Sequence, residues 1–139
     1  MVREAHRKNI DVKVVYATSS ISAALAGSGL NGEKFVYHGY PPREKKERII
    51  FIRDLEMSSK ETSATQIFIE TPYRNIHVWK DLLNFIGDNT EISISVELFT
   101  SKGIIKTARI SDWKKMKWPK LDNKKAVFLI NAQREEKYQ

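Results

Sequence analysis

Within the stretch QIFIETPYRN, residues 66–75, a carboxylate (Glu70), a hydroxyl (Thr71), a phenol (Tyr73) and a guanidinium (Arg74) crowd around Pro72. A loop that carries a carboxylate, a proline, a phenol and a guanidinium at the carboxyl end of a strand is a candidate site. An ordinary turn uses the same residues: Thr71 caps a helix, Pro72 opens it, and Arg74 is solvated or pairs with Glu70.

The segments on either side decide where such a loop sits. Residues 66–69 are a short, largely apolar run that reads as a buried strand. Residues 76–85 place Ile76, Trp79, Leu82, Leu83 and, just beyond, Ile86 on one side of a helix, as core. Strand, tight loop and helix make an α/β crossover, and in open α/β sheets ligands sit at the carboxyl ends of strands.

The rest of the chain repeats that alternation. Residues 2–8 are helical in character, and residues 12–16 read as a strand. Ser19 and Ser20 stand at a strand-to-helix junction, where they can cap the helix or hold an anion. A short Ala-rich helix follows over residues 21–28 and is closed by Gly29. Residues 35–37 form a strand, Gly39-Tyr40-Pro41-Pro42 a turn, and residues 43–57 a helix with a basic start at Arg43, Lys45, Lys46 and Arg48. Four cations there oppose the helix dipole, which favours either a contact role or a solvated face. Residues 57–65 read as a polar loop. Residues 91–98 (EISISVEL) alternate like a strand buried on one face, and residues 104–108 like its hairpin partner. Ser111 and Asp112 cap a short helix with Trp113 and Met116. Trp118, Pro119 and residues 120–125 make a basic loop, residues 126–131 a final buried strand, and residues 133–139 a polar tail. The expected fold is one α/β domain, residues 1–132, in three layers around a mixed sheet of about five strands with residues 67–69 near its centre.

Composition narrows the classes. The chain has 139 residues, 41% hydrophobic, enough for one core. It has no cysteine, so disulfides and thiolate metal sites are excluded. His6, His38 and His77 lack metal-ligand spacing. No apolar run is long enough to span a membrane, and the first ten residues lack a signal-peptide core, which points to a cytoplasmic protein. The net charge of +7 suits polyanion partners such as RNA.

Several landmarks, in order along the chain, are similar to those of one family. Glu70-Thr71-Pro72-Tyr73-Arg74 resembles the E-S/T-P-H/Y-R signature of the ribosomal RNA small subunit methyltransferase I family, a branch of the tetrapyrrole methylase superfamily. Ser19-Ser20-Ile21, Ala24-Leu25 and Ser28-Gly29-Leu30-Asn31-Gly32 resemble its S-S-I…A-L…S-G-L-N-G segment. Phe35, Gly39-Tyr40-Pro41-Pro42 and Lys45-Lys46-Glu47-Arg48 resemble its F…G-Y/F-x-P…K-x-E-R segment. Ile104-Ile105-Lys106-Thr107 and Ala126-Val127-Phe128-Leu129 match its last two strands.

The resemblance implies the C-terminal half of a methyltransferase that uses S-adenosylmethionine, with the cofactor folded between this domain and an N-terminal one. It implies backbone contacts to the cofactor at Ile69, Glu70 and Thr71, near Val96 and Leu98, and at Ala126 and Val127. It makes Glu70 the candidate catalytic base, and Tyr73, Arg74, Arg43, Lys45, Lys46 and Arg48 the candidate substrate contacts. The implied substrate is a cytidine ribose 2′-hydroxyl of small-subunit ribosomal RNA, the implied assembly a homodimer, and the isolated half inactive. Ala17-Thr18, Phe99 and Gly103 depart from the family pattern where Gly-Pro, Thr and Glu are usual. A small-molecule (tetrapyrrole) methyltransferase domain and a non-catalytic RNA-binding or dimerisation module are the competing readings.

Overall fold

Apolar runs become strands of one sheet, and amphipathic runs become helices on both of its faces. The computed structural model describes residues 1–14, 19–117, 120–121 and 123–132. Its elements, in order, are α1 (Val2–Arg7), α2 (Ser20–Ser28), β1 (Phe35–Tyr37), α3 (Lys45–Thr62), β2 (Thr65–Glu70), α4 (Asn75–Phe85), β3 (Glu91–Val96), β4 (Ile104–Arg109), α5 (Ile110–Trp113) and β5 (Ala126–Asn131). The strand order is β1-β2-β5-β3-β4. β1 pairs parallel with β2, and the other pairings are antiparallel, so the sheet is mixed as expected.

Alternation along the strands separates two cores. Phe68 of β2, Ile92 and Ile94 of β3, and Phe128 and Ile130 of β5 face α3 and α4, where Ile52, Leu55, Val78, Trp79 and Leu82 meet them. Phe68 and Phe128 stack at 5.1 Å, and Trp79 meets Trp113 edge-on at 5.1 Å. Ile67, Val127 and Leu129 face the opposite way, against Ala24 and Leu25 of α2. Each of these large buried side chains contributes about 1.5–3 kcal/mol. Three layers result.

The helix ends follow local chemistry. Glu44 caps α3: its carboxylate accepts from the Lys46 and Glu47 amides at 3.2 and 2.9 Å. That acid, with Glu47 in the first turn, offsets the cations that would otherwise oppose the dipole. Gly29 ends α2 in the left-handed region, with φ 73°.

Four expectations are corrected. Residues 12–14 form no strand, and Val14 is 91% exposed; the remaining two of that stretch, Val15 and Tyr16, lie outside the described residues. Residues 57–62 are not a loop but the last turns of α3, held because Ser59 is buried and its Oγ accepts from the Ala132 amide at 2.9 Å. β3 is buried on both faces, since α2 covers Ser93 and Ser95. β2 adjoins the middle strand, β5, so residues 67–69 lie near the centre of the sheet as expected. Ile76, read as core, is 36% exposed, and Val78 takes that place with none of its surface exposed. Trp118, Pro119 and residues 133–139 lie outside the described residues.

Candidate functional site

Glu70 of β2, Ala126 of β5 and Val96 of β3 stand in one row across the sheet, since Ala126 is the register partner of both others. Beyond that row the backbone leaves the sheet. β2 and β3 run out of it there, and β5 enters. β1 ends at the same rim, where the Ile69 amide donates to the Gly39 carbonyl at 2.9 Å. The loops that follow enclose a cleft of about 480 Å3.

Its walls come from three segments, with two further residues at the rim. The β2 end gives Ile69, Glu70, Thr71 and Pro72; the β3 end gives Ser95, Glu97 and Leu98; the entry to β5 gives Asn123, Lys124, Lys125, Ala126 and Val127; Tyr40 and Ser20 complete the rim. Six of the seven expected cofactor positions, Ile69, Glu70, Thr71, Leu98, Ala126 and Val127, therefore line one cavity. The seventh, Val96, points to the other side of β3 and is 4% exposed.

The loop after β2 is organised by its own carboxylate. Glu70 is 4% exposed, and its Oε1 accepts from the Thr71 amide at 2.7 Å. Arg74 Nε stands 3.6 Å from the same oxygen and 3.5 Å from Thr71 Oγ1. The guanidinium thus closes the turn from outside while the carboxylate stays at the cleft. Asn75, the first residue of α4, donates through Nδ2 to the Lys124 carbonyl and ties this loop to the entry of β5. Opposite, the Ser95 Oγ is buried with no hydrogen-bond partner among the described residues.

The turn from β3 to β4 is tight. Glu97 and Phe99 both have positive φ, 51° and 66°. A Cβ on Gly103 would lie 2.9 Å from the Glu97 carbonyl oxygen and 3.2 Å from that of Thr100. The departure at Gly103 is thus tied to the course of this turn, and Phe99 is 63% exposed beside it. Ala17 and Thr18 lie outside the described residues.

The expected substrate contacts divide. Tyr73 is 85% exposed at the outside of its loop. Arg43, Lys45 and Lys46 are exposed at the start of α3 and do not line the cleft. Arg48 is corrected: it is buried, its Nε bonds Asp81 Oδ2 at 2.5 Å, and its Nη1 donates to the Arg43 carbonyl. A guanidinium so engaged is not offered to RNA.

Among curated proteins, the chain is 34% identical over 98 residues to the Ribosomal RNA small subunit methyltransferase I of Thermotoga maritima, a match covering 70% of this chain and 41% of the relative. With the protein of that name from Halalkalibacterium halodurans it shares 36% over 98 residues, covering 70% of this chain and 32% of the relative. With that from Buchnera aphidicola subsp. Acyrthosiphon pisum it shares 29% over 140 residues, covering 99% of this chain and 42% of the relative. The chain is a relative of the ribosomal RNA small subunit methyltransferase I family.

It spans less than half the length of these members of the ribosomal RNA small subunit methyltransferase I family. No protein-family model matches the chain. Two solved structures share its fold: the methyltransferase CobJ (TM-score 0.53, 17% identity, 93% of this chain and 55% of that one) and a diphthine synthase (TM-score 0.55, 17% identity, 94% and 52%). Relative to the methyltransferase I pattern, sequence reasoning missed Ser95, Asn123, Lys124 and Lys125 as lining residues, whereas Glu97 falls within the stretch from Val96 to Phe99 that the resemblance set near the cofactor. Ser95 carried a signal: it shares a side of the alternating strand with Glu97, one residue to either side of Val96. Lys124 and Lys125 stood only as part of a basic loop.

No helix among the described residues is long and apolar enough to cross a membrane. No cluster of three or more His, Cys, Asp or Glu side chains among the described residues is placed to hold a metal ion.

Proposed function

We propose that this chain is the C-terminal half of a methyltransferase that takes S-adenosylmethionine and methylates a ribose 2′-hydroxyl of small-subunit ribosomal RNA. The observation that carries the reading is the cleft at the Glu70–Ala126–Val96 row, at the sheet end where α/β folds hold ligands. Its volume falls in the range of small-molecule sites. Its lining fits the cofactor's parts. Ile69, Leu98 and Val127 suit an adenine ring, the orphan Ser95 hydroxyl suits a polar edge, and the Glu70 and Glu97 carboxylates suit the cationic end of the molecule. The cofactor, when bound, supplies a methyl group activated on a sulfonium.

The residues of this chain orient rather than bond. The Glu70–Thr71 backbone fixes one wall, the Glu97 turn the other, and alignment of donor and hydroxyl accounts for much of such a rate. In this reading the N-terminal half of the enzyme closes the cleft, so this chain alone binds the cofactor weakly and transfers no methyl group. A homodimer, cytoplasmic location and RNA contact by Tyr73, Arg74, Arg43, Lys45 and Lys46 belong to the same proposal.

The test joins this chain to the N-terminal half of the Thermotoga maritima relative and supplies S-adenosylmethionine with labelled methyl and small-subunit ribosomal RNA. Label on a ribose oxygen supports the reading. Label on a base, or on a small tetrapyrrole in place of RNA, rejects the ribose assignment. Calorimetry on this chain alone is expected to show no site as tight as micromolar.

A further inference from the structure

A second hollow, of about 310 Å3, opens beside the cleft. Val96 and Ile104 form its floor, and four lysines, Lys102, Lys117, Lys120 and Lys124, form its walls. Val96 and Ile104 are register partners on β3 and β4. The lysines come from two separate segments, one from the β3–β4 turn and three from the connection between α5 and β5. Among the described residues none of the four ammonium groups has an ion pair or a hydrogen bond, and no acidic side chain lines the hollow.

The four lysines line one concave, partly apolar site with no acidic side chain among its described lining residues, and a concave cationic site focuses its field on an incoming anion. The backbone under them is held in place. The Lys102 amide donates to Thr100 Oγ1 at 3.2 Å, and Thr100 Oγ1 to the Glu97 carbonyl at 2.7 Å. Leu121, between the other lysines, is buried at 1% exposure, and the Lys124 carbonyl accepts from Asn75.

We propose that this hollow is a phosphate-binding site that holds the backbone of the RNA substrate next to the cleft. Lysine binds phosphate as a point charge, without demanding one geometry, which suits a strand lying across several ammonium groups. Lys124 lines both the hollow and the cleft. A phosphate held there sets a neighbouring ribose at the cleft mouth. The lysines therefore fix register, and the cleft receives the sugar.

This site rests on the RNA reading proposed above, and the two fail in different ways. The experiment measures binding of a single-stranded fragment of small-subunit ribosomal RNA to the full chain over a salt series. Lys102, Lys117 and Lys120, which line the hollow and not the cleft, are changed together to Gln; a control carries Lys13→Gln, Lys34→Gln and Lys80→Gln, three exposed lysines away from both, with the same loss of charge. The hollow variant is expected to lose at least tenfold in affinity at low salt. Its slope of log affinity on log salt is expected to flatten by about two units, while the control flattens less. Thermal unfolding of both variants checks that they fold. Equal losses in the two variants, or RNA binding unchanged in the hollow variant as an acidic protein partner would give, overturn the site and leave the methyl-transfer test untouched. Absence of RNA binding by the original chain at low salt also overturns it, because phosphate contacts need no particular sequence. Ribose methylation by the joined enzyme then judges the wider reading by itself.

Discussion

Arg48 and Asp81 form a buried ion pair that joins α3 to α4, with Nε 2.5 Å from Oδ2 and side chains 8% and 5% exposed. The pair lies behind the cleft, on the face of the sheet where those helices pack. Removing one partner leaves a buried charge unpaired, which costs about 3–5 kcal/mol. Asp81→Ala should therefore destabilise the chain by that amount in urea unfolding. The double change Arg48→Met with Asp81→Leu should recover most of the loss. Equal destabilisation by single and double variants would show that packing, and not the unpaired charge, sets the cost.

Glu70 offers a test of base against brace. Its Oε1 holds the Thr71 amide, and an amide oxygen can accept the same bond. Glu70→Gln should keep stability within about 1 kcal/mol, and Glu70→Ala should lose about 1–3 kcal/mol by leaving the amide unpaired. In the joined enzyme, Gln should keep methyl transfer within about tenfold if Glu70 braces the loop. A loss of more than about a hundredfold, within the range of general base catalysis, would make it the base.

The two orphan serines of β3 form a matched pair. Among the described residues, Ser93 and Ser95 both bury an Oγ without a hydrogen-bond partner, but of the two only Ser95 lines the cleft. An unpaired buried hydroxyl costs free energy, so Ser93→Ala and Ser95→Ala should each leave the free chain as stable or up to about 1 kcal/mol more stable in thermal unfolding. Only Ser95→Ala should weaken binding of S-adenosylmethionine by the joined enzyme. Equal weakening by both would point to packing under α2.

Gly103→Ala should destabilise the chain by about 1–3 kcal/mol, because its Cβ meets the backbone oxygens of Glu97 and Thr100 rather than flexible side chains. Thermal unfolding measures it. An unchanged midpoint would mean that the turn relaxes freely.

How far the sequence disclosed this arrangement depended on the range of the signal. The β2 strand, the loop from Glu70 to Arg74 and the helix after it were legible because period and punctuation are local. So were Gly29 as a helix end and Phe35–Tyr37 as a short strand. What failed was set by distant partners. Arg48 looked like one more surface cation because Asp81 is 33 residues away. Residues 57–62 looked like a loop because the contact that fixes them, Ser59 to Ala132, spans 73 residues. Ser93 and Ser95 looked like a solvent face because nothing local announces that α2 lies on them. Of the site, the row of Ile69, Glu70, Ala126 and Val127 was legible through the family resemblance, whereas the lysine hollow was not, since its walls come from separate segments that the fold brings together.

Amide hydrogen exchange should rank the strands by their place in the sheet. Phe128, Leu129 and Ile130 of β5, paired on both sides, should exchange most slowly, ahead of Ile67–Ile69 of β2. Faster exchange in β5 than in β2 would contradict the strand order.

The strand that fills the middle of the sheet is the last of its five strands in chain order. Until residues 126–131 leave the ribosome, β2 and β3 each present a bare hydrogen-bonding edge, and the row of Glu70, Ala126 and Val96 has no centre. Partners such as Glu91 and Asn131, or Gln66 and Ile130, meet only across long loops. Closing such loops is slow, and open edges invite pairing with other chains. From the emergence of β2 to that of β5 the nascent polypeptide therefore carries open, aggregation-prone edges, and the cleft comes into being in a single event, the insertion of one strand.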